Sequence, residues 1–244
     1  MENFIRLAKL MSQRGICSRR EAEYFIDMKK VLVNGKLIEE QGTRVSVDSS
    51  IELIDDAEKY QKNKVVILLN KPFGVVSTQP EKKYVAAIEL ITMQNQYRIK
   101  NSRIFEKEHL QKLSVAGRLD VDSTGLLVLS QDGVIVKKII GPKSEMEKEY
   151  FVKVSGAITK EKIAKLRFGL SLDGELLKDA QVEILNANNL RFILTEGKKR
   201  QIRRMCEMVE LKVVSLNRVR IGNIKLGDLP LGKWRYLSEG ETFQ

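Results

Sequence analysis

The 244-residue sequence predicts an α+β protein in two parts. Three observations carry that prediction. Residues 4–54 hold two short helical patterns followed by hairpin-type strands. Residues 55–64, DDAEKYQKNK, are polar and charged without an apolar period. Beyond them, apolar strand-like runs alternate with amphipathic helical stretches to the end of the chain.

The first helix spans residues 4–13, with Ile5, Leu7, Ala8, Leu10 and Met11 as its apolar set and Gly15 closing it. Ser18-Arg19-Arg20-Glu21 forms a capping box that opens a second helix over 19–28, with Ala22, Phe25 and Ile26 on one face. Residues 31–38 form a hairpin turning at Asn34-Gly35, and further strands follow near 43–47 and 51–54. Arg6-Leu, GICSRREAE (15–23) and VLVNGK (31–36) in this order resemble the ribosomal-protein-type RNA-binding module called the S-four domain. In that family the second helix and the loop before it meet RNA backbone. The resemblance therefore implies Arg14, Arg19, Arg20 and Lys30 as phosphate contacts.

The division that follows is an RNA-binding domain over 1–58, a linker over 59–64 and a larger domain over 65–244. A polar linker leaves the first domain free to move when no RNA is bound. After it, 65–70 reads as a buried strand running into the turn Lys71-Pro72-Phe73-Gly74. Residues 92–112 are polar, basic and poorly periodic, a long surface excursion. GRLDVDSTG (117–125) is a polar loop that delivers two aspartates and leads into the apolar strand LLVLS. An aspartate beside an arginine stays ionised at neutral pH, as a nucleophile or general base requires. Asp120 and Asp122 also admit a paired-carboxylate reading or a plain turn-forming one. Residues 149–154 alternate as a strand, with Tyr150 and Phe151 on opposite faces, and 159–168 form a helix with Ile163 and Leu166 inward. A strand over 190–195 and a basic turn over 196–199 precede a helix at 200–209. On that helix Ile202, Met205, Cys206 and Val209 form an apolar stripe beside Arg200, Arg203 and Arg204.

Charge and composition narrow the chemistry. Lys and Arg number 43 against 32 Asp and Glu, a net charge of +11 that points to a polyanionic partner. The excess belongs to residues 63–244, because 1–62 hold 11 charges of each sign; residues 191–220 are the most basic stretch, with 9 against 3. His109 is the only histidine, so a multi-histidine zinc site is ruled out. Cys17 and Cys206 form neither a disulfide framework nor a metal pair, which suits a reducing cytoplasm. No secretory pattern opens the chain, and the longest aliphatic run, Val65-Val66-Ile67-Leu68-Leu69, falls far short of the ~20 residues that cross a bilayer. The expectation is a cytoplasmic protein with no membrane partner.

Five segments together are similar to the ribosomal-RNA pseudouridine synthases of the RsuA-type branch, which also carry an N-terminal S-four domain. They are LNKPFGVVST (69–78), AGRLDVDSTGLLVLSQDG (116–133), EKEYFVKV (147–154), LTEGKKRQIRRM (194–205) and RVRIGNIKLGDLPLGKWRYL (218–237). The RQIRRMC helix is most similar to the large-subunit RluF group. The resemblance implies a larger domain built on a mixed, mostly antiparallel sheet with flanking helices. It implies a reaction without cofactor or metal, in which uracil is cut from its ribose, turned and rejoined through carbon 5. Asp120 matches the catalytic aspartate, as nucleophile at the anomeric carbon or base at the neighbouring ribose carbon. Tyr150 matches the tyrosine against the flipped base, and Arg203 the basic residue paired with the aspartate. Arg118 is placed to fill the gap left by flipping, Lys71, Arg200 and Gln201 are substrate-side candidates, and Asp122 has no role. The implied partner is ribosomal RNA or a pre-ribosomal particle, met by a monomer. Two departures are Ser114-Val115-Ala116, where the family has an aromatic-Pro-Val sequence, and the longer segment 92–112. The alternative is a non-catalytic RNA-binding or ribosome-assembly factor. An RNA methyltransferase would need a Gly-rich nucleotide loop after a strand, which the sequence lacks.

Overall fold

A computed structural model describes residues 4–79, 84–98 and 102–244. The N-terminal part runs β1 (Phe4–Arg6), α1 (Leu7–Gln13), α2 (Arg19–Asp27), β2 (Val31–Val33), β3 (Lys36–Ile38), β4 (Arg44–Ser46), β5 (Ile51–Leu53) and α3 (Asp55–Asn63). The expected first helix starts three residues late. Phe4–Arg6 pairs with β4, and the Leu7 amide donates to Thr43 O, so the chain enters as a strand. The capping box forms as expected: the Glu21 amide donates to Ser18 Oγ, and the Ser18 amide donates to the Glu21 carboxylate. Asn34 and Gly35 both have positive φ, 48° and 75°, as the two-residue β2–β3 turn requires.

The polar stretch expected as a linker is instead helix α3. Its Lys, Glu, Gln and Ala residues are good helix formers, and Glu58 and Lys62 pair one turn apart at 2.6 Å. Ala57 packs into the N-terminal core with Leu10, Met11, Phe25 and Ile26. The junction is bonded rather than a free tether. Lys64 pairs with Glu21, Lys112 lies over the Tyr24 ring at 5.2 Å, and Lys137 donates to Ser12 Oγ at 3.3 Å. A Cβ on Gly133 would fall 2.6 Å from the Ser18 Cβ, so glycine is what permits this approach.

The larger part continues with β6 (Val66–Lys71), β7 (Val75–Val76), β8 (Val85–Ala86), β9 (Ser114–Ala116), β10 (Thr124–Ser130), α4 (Gly133–Ile140), β11 (Lys148–Ser155) and α5 (Lys160–Arg167). After these come β12 (Ser171–Leu172), β13 (Glu175–Leu176), β14 (Gln181–Asn186), β15 (Asn189–Leu194), α6 (Gln201–Met208), β16 (Lys212–Ile221), β17 (Ile224–Lys225) and β18 (Trp234–Tyr236). The main sheet has the order β14-β15-β11-β16-β10-β6-β18, with β9 added on β10 and β17 on β16. Every pairing in it is antiparallel except β10 with β16, so the sheet is mixed and mostly antiparallel, as expected. Both faces of its centre are covered. Ile67 and Leu69 of β6 join the core under α5 and α6, while Val66 and Leu68 join the opposite core with Ile139 of α4.

The expected surface excursion over 92–112 is partly packed, and residues 99–101 lie outside the described ones. The Trp234 indole donates to Thr92 O at 2.8 Å, Tyr97 N donates to Trp234 O, and Phe105 packs edge-on against the Trp234 ring. His109 is buried against the Tyr236 hydroxyl at 2.6 Å, which makes the single histidine a core residue.

The parallel pairing of β10 with β16 sets Gly125 beside Arg218. Gly125 has φ +103°, and a Cβ there would lie 2.3 Å from both Arg218 O and Asn217 Oδ1. Gly125→Ala is therefore expected to cost roughly 3 kcal/mol or more, combining strain and overlap. Denaturant unfolding checks this, and a loss under about 1 kcal/mol would contradict so close a contact.

Candidate active site

The loop between β9 and β10 exposes Asp120 to an open cleft of about 1610 Å³ that is also lined by Arg118, Tyr150, Lys198, Arg200 and Arg218. The loop is fastened at many points. Ser77 Oγ donates to Leu119 O at 2.6 Å and accepts from Leu119 N at 2.8 Å. Gly74 N donates to Val121 O, and Ser123 N donates to Asp120 O to close a turn. The Arg218 guanidinium, 1% exposed, donates to Gly117 O and Leu126 O, both at 2.8 Å, so it holds the loop at both ends. With Leu119 buried in the core, the Asp120 side chain is left 37% exposed to the cleft.

Helix α6 faces this loop. Arg200, its N-cap residue, has φ +53° and reaches Asp122 with both terminal nitrogens, at 3.3 and 3.2 Å; its contact with Asp120 is longer, 3.9 Å. The hydrogen bond to Asp122 holds the Arg200 guanidinium above its ordinary pKa. Arg203 donates to Asp122 O at 2.8 Å and lies 3.3 Å from Asp122 Oδ1. The expected pairing of Arg203 with Asp120 is thus not the one present. Arg203 is anchored to Asp122, the carboxylate to which the sequence assigned nothing, because that aspartate turns toward α6 while Asp120 turns toward the cleft. Arg203 Nε is buried and has no hydrogen-bond partner among the described residues.

Other candidates divide by where burial leaves them. Tyr150, 8% exposed, lines the cleft from β11, beside a register shift between Glu149 and Tyr150 in the β16 pairing. Arg118 is exposed at the rim. Lys71 is fully buried and donates to Pro72 O and Val75 O, so it clamps the turn beneath the loop and cannot reach RNA. Gln201 is also buried; its amide bonds Glu196 and Lys198 and shapes the basic turn, so it too is no direct contact. On the N-terminal module, Arg19 and Arg20 are exposed beside the junction. Arg14 spends its guanidinium on Val47 O and Ser49 O, which ties α1 to the β4–β5 loop, and Lys30 pairs with Asp56.

Three residues escaped the sequence reading: Ser77, Lys148 and Arg218. Ser77 carried no sequence signal. Lys148 shares the alternation of β11 with Tyr150, and Arg218 stands in an alternating apolar strand, where a buried arginine is conspicuous only once its partners are known. Burial pushes the amines of Lys71 and Lys148 down to about 8; at Lys148 the nearby Arg218 and Lys178 add to this, while at Lys71 the two aspartates oppose it. The cleft therefore has a floor of buried cations. Among the described residues, no group of three His, Cys, Asp or Glu side chains could hold a metal.

A carboxylate held open among lysines and arginines that outnumber the acidic groups of the cleft is a site built to work on a polyanion. Comparison with known proteins narrows that class: the chain belongs to the RNA pseudouridylate synthase family, whose model matches residues 65–208, and residues 5–51 match the S4 domain. It is 36% identical over 98% of its length to the dual-specificity RNA pseudouridine synthase RluF of Escherichia coli K12, covering 78% of that protein. It is 33% identical over 87% of its length to the ribosomal large subunit pseudouridine synthase B of Bacillus subtilis, covering 84% of that protein. A crystal structure of a pseudouridylate synthase superposes with TM-score 0.64 at 28% identity, over 96% of each chain.

The unfolded chain keeps the protons of Lys71 and Lys148 up to the ordinary lysine value of about 10.4, whereas the folded chain releases them near 8. Above that point the unfolded state binds more protons, so stability rises with pH until the thiols of Cys17 and Cys206, raised to about 12, act in the opposite sense from about 8.5 upward. Unfolding free energy measured from pH 7.5 to 9 is expected to rise in a Cys17→Ala, Cys206→Ala background and to rise about half as steeply when Lys148→Met is added, since Lys71 still titrates. An equal slope in both proteins would contradict the burial of this amine.

Proposed function

We propose that the protein isomerises uridine in ribosomal RNA, in particular that of the large subunit, to pseudouridine in the cytoplasm, acting as a monomer and without a cofactor. The observation that carries this reading is Asp120, on a loop fastened by Ser77, Gly74 and Arg218, sharing the cleft with Tyr150 and 3.9 Å from Arg200. The name of the Bacillus subtilis relative supports the ribosomal substrate, that of the Escherichia coli relative supports RNA, and the S4 match supports RNA as the ligand of the first module. We divide the chain for this purpose into an RNA-binding domain over 1–58, a connection over 59–64 and a catalytic domain over 65–244.

A stacked uridine cannot rotate in place, so the target is first swung out of the RNA into the cleft. Arg118 at the rim takes the vacated space. Asp120 then either bonds the anomeric carbon as the bond from that carbon to N1 breaks, and is released when the carbon-5 bond forms, or takes a proton from the neighbouring ribose carbon as the bond to N1 breaks and returns it afterwards. The detached uracil turns in the cleft, a bond forms from the anomeric carbon to carbon 5, the carbon-5 proton is lost and N1 gains one, so no atoms are gained or lost overall. Tyr150 lies against the ring, and its position on β11 suits it to guide that proton. Arg19, Arg20, Arg118 and Arg200, all with exposed guanidinium groups, are the phosphate contacts of this reading, and binding should weaken as salt is raised.

Asp120→Asn keeps the shape and removes the reacting charge. With ribosomal RNA tritiated at carbon 5, tritium release is expected to fall at least about a thousandfold while RNA binding stays within a few-fold of wild type. Release by Asp120→Asn at the wild-type rate would overturn the assignment, and binding without release by the unaltered protein would favour a non-catalytic binding factor.

A further inference from the structure

The junction of the two parts holds a second cavity, of about 480 Å³. The N-terminal part contributes Arg19 and Arg20 of α2 to its lining, and the larger part contributes Lys112 and Lys137. All four side chains are exposed, and among the described residues none has a carboxylate within ion-pair distance. Elsewhere on the N-terminal part cations are neutralised, Lys30 by Asp56 and Lys62 by Glu58. Glu21 is the one carboxylate of the cavity lining among the described residues, and Lys64 already pairs with it. Four like charges gathered on one concave surface repel one another until an anion lies among them.

The two lysines also touch the N-terminal part, yet those contacts leave donors for a ligand. Lys112 lies over the Tyr24 and Tyr60 rings at 5.2 and 5.9 Å, contacts that steady the ammonium without a hydrogen-bond acceptor. Lys137 donates one proton to Ser12 Oγ at 3.3 Å, and an ammonium has three. The cavity also adjoins the cleft. Ser114 lines both, and its strand β9 runs on into the loop that carries Asp120. Helix α4 spans both as well, with Val136 and Lys137 on the cavity and Ile139 and Ile140 on the cleft. We propose that the cavity is a phosphate site for the RNA backbone beside the target uridine, in which Lys112 and Lys137 of the larger part act opposite Arg19 and Arg20. Four cations exceed the charge of one small anion, whereas successive phosphates of a single strand meet them in turn. The proposal rests on RNA being the substrate, as argued above, and adds that one segment of it bridges both parts. It also gives a role to the end of segment 92–112, where Lys112 stands.

Lys112→Gln combined with Lys137→Gln removes two charges at exposed positions. With ribosomal RNA tritiated at carbon 5, KM and Kd are expected to rise about tenfold at physiological ionic strength while kcat stays within about twofold. The slope of log Kd against log salt is expected to shrink by about 1 to 2. Lys112→Arg with Lys137→Arg keeps both charges and is expected to bind RNA within about threefold of wild type. Unchanged Kd and slope in the Gln pair would overturn the proposal. So would equal weakening by the Gln and Arg pairs, which is how lysines that merely space the junction behave. Inorganic phosphate is the probe for a small anion: its binding lost in the Gln pair, with RNA affinity and slope unchanged, would also overturn it. Should the Gln pair fail to fold, amine acylation of the wild-type protein is the second measurement. RNA is expected to slow acylation of Lys112 and Lys137 at least about fivefold relative to the exposed Lys160 and Lys165 of α5, and no such protection would overturn the proposal. Tritium release by the wild type separates the two readings. If it proceeds while the Gln pair binds normally, only this site fails; if the wild type neither binds nor isomerises the RNA, both fail.

Discussion

The buried guanidinium of Arg218 is the contact on which the site depends. It lies on β16, the strand that pairs in parallel with β10, and its two donated hydrogen bonds go to Gly117 O and Leu126 O, one at each end of the loop that carries Asp120. A loop of this size with a polar sequence would otherwise sample many conformations, each residue costing about 1–2 kcal/mol to fix. The clasp, the Ser77 hydroxyl and the Gly74 amide share that cost among groups in the rigid part of the sheet. Gly125 completes the arrangement, because only a residue without a side chain lets β10 come this close to Arg218.

The same guanidinium shapes the electrostatics. Arg218, Lys71 and Lys148 are all buried, and their hydrogen bonds go to carbonyl oxygens. Burying charges in this way is costly, and their mutual repulsion helps hold the two amines near a pKa of 8. Such a cost is offset where a polyanion docks. Part of the positive excess is gathered at the cleft, whose lining holds, among the described residues, eight Lys and Arg against three Asp and Glu.

Much of this was legible in the chain. The capping box at Ser18 and Glu21 and the Asn34-Gly35 turn are local signals, and local physics delivers them unchanged. The GRLDVDSTG loop was legible as a carboxylate-bearing turn running into a buried strand. What was not legible depends on pairing distant in sequence. Arg203 was expected on Asp120 and sits on Asp122, because the direction of each aspartate is set by turn contacts from Gly74 and Ser77 that no spacing rule contains. Lys71 and Gln201 read as polar groups free to meet RNA, yet one props up a turn and the other shapes a loop. The segment expected as a linker misled for the opposite reason. Its charges hid good helix propensity, and Ala57, the buried side chain that docks it among the described ones, gives no periodic signal.

The junction bears on how the two parts act together. Helix α2, which carries Arg19 and Arg20, is held at the junction through Glu21 and Lys64 and through the approach of Gly133 to Ser18, so these exposed arginines stand in a defined relation to the cleft. The central claim is that this cleft converts uridine in ribosomal RNA through Asp120. The most direct measurement is a map of pseudouridines in ribosomal RNA from cells with the gene deleted and from the same cells supplied with the wild-type or the Asp120→Asn protein. The account predicts that one or a few pseudouridines of the large-subunit RNA disappear on deletion, return with the wild type and stay absent with Asp120→Asn; an unchanged map, or full return with the variant, would contradict it.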